Sequence, residues 1–335
     1  MLTRYMSRAT IAAVATVILG ACADDADVTS PTTAGAKNVA FIELEGARPA
    51  FYVQNADGTQ RTRIHFSGAV DEVPGNWPQV PALTDENILT LRSAKWSPDG
   101  SRIAFVATVA ADQAEVVVMK ADGTEARIVS PNYAYVVGDV DWSPDGRRVA
   151  YTMATQPGVR GIEVFVSDVV GAARVTQITH NSGYRGLGGT LRFADNGTSL
   201  WISQVTGEGG GPVFESIGAV RRVDVATGEI TSVRENIIGE VQAVAHSGAY
   251  ALVLRHKTLT NGVYDNQLVR VPIGAAGAEQ VLIDGGRLDY ARLTTDDSRV
   301  LLLRAATAFS TFSPFGGAEA VLRGAGGAPL SVDTK

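Results

Sequence analysis

Lys95-Trp96-Ser97-Pro98-Asp99-Gly100-Ser101-Arg102-Ile103-Ala104-Phe105-Val106 is answered further along the chain by Asp141-Trp142-Ser143-Pro144-Asp145-Gly146-Arg147-Arg148-Val149-Ala150-Tyr151-Thr152. Each stretch is an apolar approach, a tight turn and an alternating apolar strand. Pro98 and Pro144 fix φ for the turn, Asp99 and Asp145 suit hydrogen bonds to local backbone, and Gly100 and Gly146 accept positive φ. Trp96 and Trp142 sit on the incoming strand, where each ring can bury on the order of 200 Å² between neighbouring layers. Weaker copies follow at Phe193 to Gly197, Val244 to Gly248 and Leu293 to Asp297, each leading into an apolar strand. The copies end at 100, 146, 197, 248 and 297, so the spacings are 46, 51, 51 and 49 residues. A period of this size suits one four-stranded unit per repeat, as in a β-propeller blade.

A second element recurs downstream of the first. Val116 to Met119, the turn Ala121-Asp122-Gly123-Thr124 and Ala126 to Val129 read as strand, turn and strand. The same order appears at Phe51 to Val53, Ala56-Asp57-Gly58-Thr59 and Thr62 to Ile64. Asn38 to Ile42 resembles Arg102 to Val106, yet no Trp-Ser-Pro-Asp-Gly strand precedes it. The first unit therefore lacks its first strand. A closed ring must cover its sheet edges, and a C-terminal strand around Ala328 to Val332 is expected to supply the missing one. The count is then six blades, with five and seven as open alternatives because Ala305 to Leu322 is poorly patterned. Phe312-Ser313-Pro314-Phe315 fits no repeat.

The Trp-Ser-Pro-Asp-Gly turn with its following strand, and the Ala-Asp-Gly-Thr turn, resemble the WD-repeat-like propeller repeats of the TolB family. Similar repeats occur in the propellers of prolyl-oligopeptidase-type peptidases. The resemblance covers most of residues 37 to 325. It implies an all-β propeller at a bacterial envelope, and it constrains function weakly because propellers host many activities. The TolB family carries an α/β domain before the propeller and is soluble in the periplasm. Here about 15 residues separate Cys22 from the first expected strand, so a lipoprotein variant without that domain is expected. A peptidase would need a Gly-x-Ser-x-Gly elbow, and the sequence has none.

The N-terminus reads as an export signal over residues 1–21. Arg4 and Arg8 are followed by the apolar run Ile11 to Leu19 and then by Gly20 and Ala21. Leu19-Gly20-Ala21-Cys22 resembles the bacterial lipobox, which implies that Cys22 is the lipid attachment site. Cys22 is the only cysteine, so it has no internal disulfide partner. Acyl chains gain about 0.8 kcal/mol for each methylene buried in the leaflet. No Asp follows Cys22 directly, and by the same resemblance the outer membrane, facing the periplasm, is favoured. Residues 22–36 are polar, small and acidic, as a tether would be, and residues 37–335 are expected to form one propeller domain.

Removing Arg4 and Arg8 with the signal leaves 27 of the 29 basic residues against all 35 acids. The bases are scattered, which argues against nucleic acid and against electrostatic docking to anionic lipid. No cofactor is indicated. The histidines are His65, His180, His246 and His256. None has the short spacing of a helical metal site, so no metal is expected. They are read as loop residues, with His65 and His180 able to converge near one mouth of the ring.

Two features are candidates for partner contact. The long insertion 66–90 holds Trp77 between Asn76 and Pro78, together with Asp71, Glu72, Asp85 and Glu86. Loops of this length in a compact fold are often functional. Tyr184 and Arg185 sit in a Gly-rich loop whose spacing matches no nucleotide motif. The repeat turns, with Trp96, Asp99, Gly100, Trp142, Asp145 and Gly146, are read as structural. The expected function is a monomeric, non-catalytic binding scaffold for an envelope protein or glycan. The alternatives are a propeller enzyme acting on polysaccharide, by lysis or hydrolysis, and an accessory subunit of a peptidase or transporter.

Overall fold

The computed structural model describes residues 39–334, except 56–58, 72–82, 87, 111–112, 132–134, 155–161, 172–173, 181–186, 210–214, 261–262, 275–276, 305–307, 317–319 and 323–328. The chain divides into Met1–Ala36 and Lys37–Lys335, and the fold below is that of the second unit. Among the described residues every regular element is a strand, and no helix is long and apolar enough to cross a membrane.

Six sheets form six blades in a ring. The first blade orders its strands β26-β1-β2-β3, with β1 at Val39–Glu45, β2 at Arg48–Gln54, β3 at Thr62–Ile64 and β26 at Pro329–Thr334. The C-terminal strand β26 pairs antiparallel with β1, Val39 opposite Thr334. It supplies the strand that the first repeat lacks, where the sequence placed it. The remaining blades run through the chain in order. The second is built on β6 (Thr90–Trp96), β7 (Arg102–Ala110), β8 (Gln113–Lys120) and β9 (Arg127–Ile128). The third starts at β10 (Tyr135–Trp142), the fourth at β14 (Leu187–Phe193), the fifth at β18 (Glu240–Val244) and the sixth at β22 (Leu288–Leu293). Ala308–Phe312 and Ala320–Leu322, in the stretch that lacked a pattern, are the two outer strands of the sixth blade.

The insertion 66–90 differs from a plain loop. Ser67–Asp71 (β4) pairs antiparallel with Leu83–Thr84 (β5) and parallel with β9, so the second blade has six strands. The edge of β9 offers unpaired backbone groups, and β4 satisfies them. Phe66, Leu83 and Ile88 are buried in the core between the first two blades, which fixes the hairpin to the ring.

Strand alternation explains the core. Within Arg148–Ala154, Val149, Tyr151 and Met153 face the second blade, while Ala150 faces the fourth. Both faces of a blade are thus buried, and each junction holds its own apolar cluster. The last junction closes the ring: Leu301 and Leu303 of the sixth blade pack on Val39, Phe41, Ala50 and Tyr52 of the first. Trp96 is fully buried against the first blade, and Trp142 is buried against the second.

The turns have the chemistry their residues imply. Asp99 Oδ1 accepts from Ser97 Oγ at 2.6 Å and from the Ser101 amide at 3.0 Å, and Gly100 has φ 67°. Asp145 and Gly146 repeat the arrangement with Ser143 and Arg147. A different glycine is sterically obligatory. Gly228 has φ +72°, and a Cβ there would lie 2.1 Å from the backbone oxygen of Ile178 in the neighbouring blade. Left-handed backbone and an immovable neighbour act together, so Gly228→Ala is expected to cost at least about 2 kcal/mol, read as a lowered melting temperature. An unchanged melting curve would show that the third and fourth blades separate there at little cost.

Candidate functional site

The innermost strands carry a charge pattern. On each, the residue before the buried Trp, Phe or aliphatic position lies on the opposite face of the strand from it. In the second, third, fourth and sixth blades these residues are Lys95, Asp141, Arg192 and Arg292. All four are buried. Charges withdrawn from water must be paired or hydrogen-bonded, and here they meet polar partners around the ring axis.

Arg292 of the sixth blade meets Asp139 of the third, Nη1 to Oδ1 at 2.8 Å. In a ring of six these blades are opposite, so the ion pair crosses the axis. Arg292 Nη2 also donates to Ser93 Oγ of the second blade at 3.3 Å. A second group ties the third to sixth blades. Arg192 Nη2 donates to the carbonyl oxygen of Thr294 at 2.8 Å and lies 2.9 Å from Asp297 Oδ1. The His246 ring sits between Asp297, at 3.3 Å, and Asp141, at 3.6 Å. The two carboxylates also hold backbone: Asp141 accepts from the Phe193 amide at 2.9 Å and Asp297 from the His246 amide at 2.7 Å.

The protonation states follow from this geometry. Burial disfavours the His246 imidazolium, and Arg192, 3.1 Å away from Nε2, disfavours it further. Hydrogen bonds and charge from Asp141 and Asp297 outweigh both, so the pKa of His246 is raised. Burial pushes the Asp141 carboxyl up, but His246, Arg192 and Lys95 overcome it and hold the group below the usual carboxylate range. Asp297 is lowered in the same way by His246 and Arg192. The network therefore holds Asp141 and Asp297 as carboxylates, and it keeps the His246 proton to higher pH than a free imidazole would.

Asp297 shows how the site departs from the repeat. Its position is the glycine of the other turns, and it keeps the left-handed backbone, with φ 59°. A non-glycine residue there bears strain, and the carboxylate it gains is the one that receives Arg192 and His246. The repeat copies ending at Gly248 and Asp297 contained this signal, as did the charged residue before each aromatic. Reading the turns as purely structural passed over both.

The other expected contacts lie elsewhere. Cys22, Glu72, Trp77, Tyr184 and Arg185 fall outside the described residues. Asp71 ends β4, its backbone opposite Ile128, and its side chain also falls outside them. His65 is exposed and pairs with Asp85 at 2.8 Å. His180 is exposed, and His256 Nδ1 lies 2.8 Å from Asn266 Oδ1. Among the described residues no three His, Cys, Asp or Glu side chains are grouped as metal ligands. His246 is no plain loop residue, contrary to the sequence reading: it is the centre of the axial network.

No family model matches the chain, and no curated protein matches it in sequence. Solved structures do match in fold. TolB from Acinetobacter baumannii aligns with a TM-score of 0.62 and 15% identity, over 89% of this chain and 67% of that one. A chain of a nidogen/laminin complex aligns with a TM-score of 0.58 and 7% identity, over 89% and 97%. The tricorn protease aligns with a TM-score of 0.50 and 13% identity, over 92% of this chain and 36% of that one. Identities this low establish architecture alone, and the chain is a six-bladed β-propeller of TolB-like fold.

Proposed function

We propose that this protein is a non-catalytic, lipid-anchored scaffold of a bacterial envelope that binds another envelope protein. The axial network carries the reading. The charged groups that a propeller enzyme would present at its axis are here directed at one another, with Arg292–Asp139 across the ring and Arg192, His246, Asp141 and Asp297 beside it. Binding is left to the loop faces. The fold shared with a chain solved in a nidogen/laminin complex supports a protein ligand. The anchor rests on the lipobox-like Leu19 to Cys22, and placement at the outer membrane, facing the periplasm, rests on the absence of Asp directly after Cys22. The segment 72–82, with Trp77, lies in the chain between the two strands of the hairpin that extends the second blade, and it is the first segment to test.

The test is crosslinking in intact envelopes with the mature lipoprotein as bait. One recurrent envelope protein should be captured, and Trp77→Ala should reduce its yield while melting stays unchanged. Cys22→Ser should leave a soluble or uncleaved product. Processed protein that stays on the membrane in that variant would remove the anchor. Failure of the folded, anchored bait to capture any protein would remove the protein ligand and turn the search to glycans.

A further inference from the structure

Two equivalent grooves open at successive blade junctions, on the face that carries the repeat turns. The first, of about 370 Å³, lies between the second and third blades. Val118, Val169 and Val170 provide apolar lining, and Arg102, Lys120 and Arg127 stand among its lining residues. The second, of about 390 Å³, lies between the third and fourth blades. Val166, Ile178 and Val225 provide its apolar lining, with Arg148 and Arg174 beside them.

The two are copies of one site. Arg102 and Arg148 hold the same position in the two strong sequence repeats. Each arginine donates to a backbone oxygen of the next blade, Arg102 Nη1 to Val169 at 3.1 Å and Arg148 Nη2 to Gly197 at 3.0 Å. The fourth and fifth junctions are filled. At the fourth, the Trp201 indole lies against Gly248, the counterpart of Gly197, so closely that a Cβ there would be 2.2 Å from the ring. Trp201 Nε1 donates to the His246 carbonyl at 2.9 Å. At the fifth, Tyr250 takes the place of Arg102 and is covered edge-on by Phe315, with ring centroids 6.0 Å apart.

Charge selects the occupant. The two grooves together carry Arg102, Lys120, Arg127, Arg148 and Arg174 against Glu125 and Asp168, with Lys120 paired to Glu125. This strip is basic on a chain whose formal net charge is −6. Apolar floors of this size accept aliphatic side chains, and an arginine beside each floor suits a carboxylate. We infer that the paired grooves bind an extended acidic peptide segment of a partner protein, one aliphatic side chain entering each groove and the flanking carboxylates meeting the arginines. The assignment rests on the protein-scaffold reading above and names its partner's chemistry.

The test uses the full mature chain and a fluorescein-labelled peptide alternating Asp or Glu with Leu, read by anisotropy. A Lys/Leu peptide of equal length and heparin are the comparators. The acidic peptide should bind, and binding should weaken as salt rises. Two independent pairs of substitutions should each weaken it roughly tenfold or more: Arg127→Glu with Arg174→Glu, which reverses the rims, and Val170→Trp with Ala226→Trp, which fills the grooves as Trp201 does elsewhere. Melting curves check that each variant folds. Equal binding by the folded variants overturns the assignment, as does equal binding of the Lys/Leu peptide. Heparin binding without peptide binding overturns it in favour of an anionic glycan. If the acidic peptide fails while envelope crosslinking still captures a protein, the grooves lose their role and the scaffold reading stands.

Discussion

Replacing Arg192 with alanine is expected to destabilise the propeller by about 3–5 kcal/mol, because it leaves buried carboxylates without their cation. Arg192 is 2% exposed. Its guanidinium bridges His246 and Asp297 and caps the Thr294 carbonyl. Without it, Asp297 is left with His246, Asp141 with His246 and Lys95, and the carbonyl loses its donor. The figure is the cost of breaking the network, which differs from its net worth: apolar residues of the same volume can serve a core equally well. The pH dependence separates the two. In the folded protein the pKa of His246 is raised, so the stability it contributes is present below its unfolded value and is lost as pH rises through the folded one. Asp141 and Asp297 are lowered, so their contribution is present above the unfolded carboxylate value and is lost as pH falls through the folded ones. Stability should therefore fall on both sides of a central window. Arg192 disfavours the imidazolium, so Arg192→Ala should move the alkaline fall to higher pH while lowering the whole curve. His246→Gln should abolish the alkaline fall. Melting temperatures from pH 4 to 9 check both. An alkaline limb at the same pH in wild type and Arg192→Ala would mean that the guanidinium does not act on the ring.

The ring was legible because its causes are local and repeated. Trp96-Ser97-Pro98-Asp99-Gly100 and Trp142-Ser143-Pro144-Asp145-Gly146 state a turn type, a strand and a period, and a missing first strand at Val39 implied a closing strand at the far end. The hairpin Ser67–Thr84 was less legible. Its pairing partner is the edge of β9, more than 40 residues further on, and the strand Leu83–Thr84 is too short to show alternation. The axial network was the least legible part. Arg192, His246, Asp141 and Asp297 belong to four blades and come together only when the ring closes. No spacing along the chain brings them close. What the sequence did hold was a departure from its own rule, a charged residue before each aromatic and an aspartate in a glycine's turn position. In a repeat protein the shared positions describe the fold, and the positions that break the repeat point to what this copy adds.

Trp142→Ala is expected to cost about 3–5 kcal/mol, a fall of roughly 6–10 °C in melting temperature for a domain of this size. Trp142 stands at a junction and contributes in two ways. Its ring fills the space between Ala104 and Val106 of the second blade and Val149 and Tyr151 of its own. Its Nε1 donates to the buried carbonyl of Lys95 at 3.0 Å. Removing the ring leaves a cavity between close-packed sheets that cannot collapse onto one another without bending the ring. It also strips the Lys95 carbonyl of that donor, a cost of about 1–3 kcal/mol when no water replaces it. Trp142→Phe separates the contributions, since it keeps most of the packing and loses the donor, and it should fall between wild type and Trp142→Ala. Phe315 provides the contrast. It is 66% exposed and meets Tyr250 edge-on at the rim, so Phe315→Ala should stay within about 1 kcal/mol. If Trp142→Phe were as damaging as Trp142→Ala, the hydrogen bond to Lys95 would be the tie between the second and third blades, and the neighbouring charge on Lys95 would be held in place by it. If Trp142→Phe were neutral, shape alone would join the second and third blades at this junction.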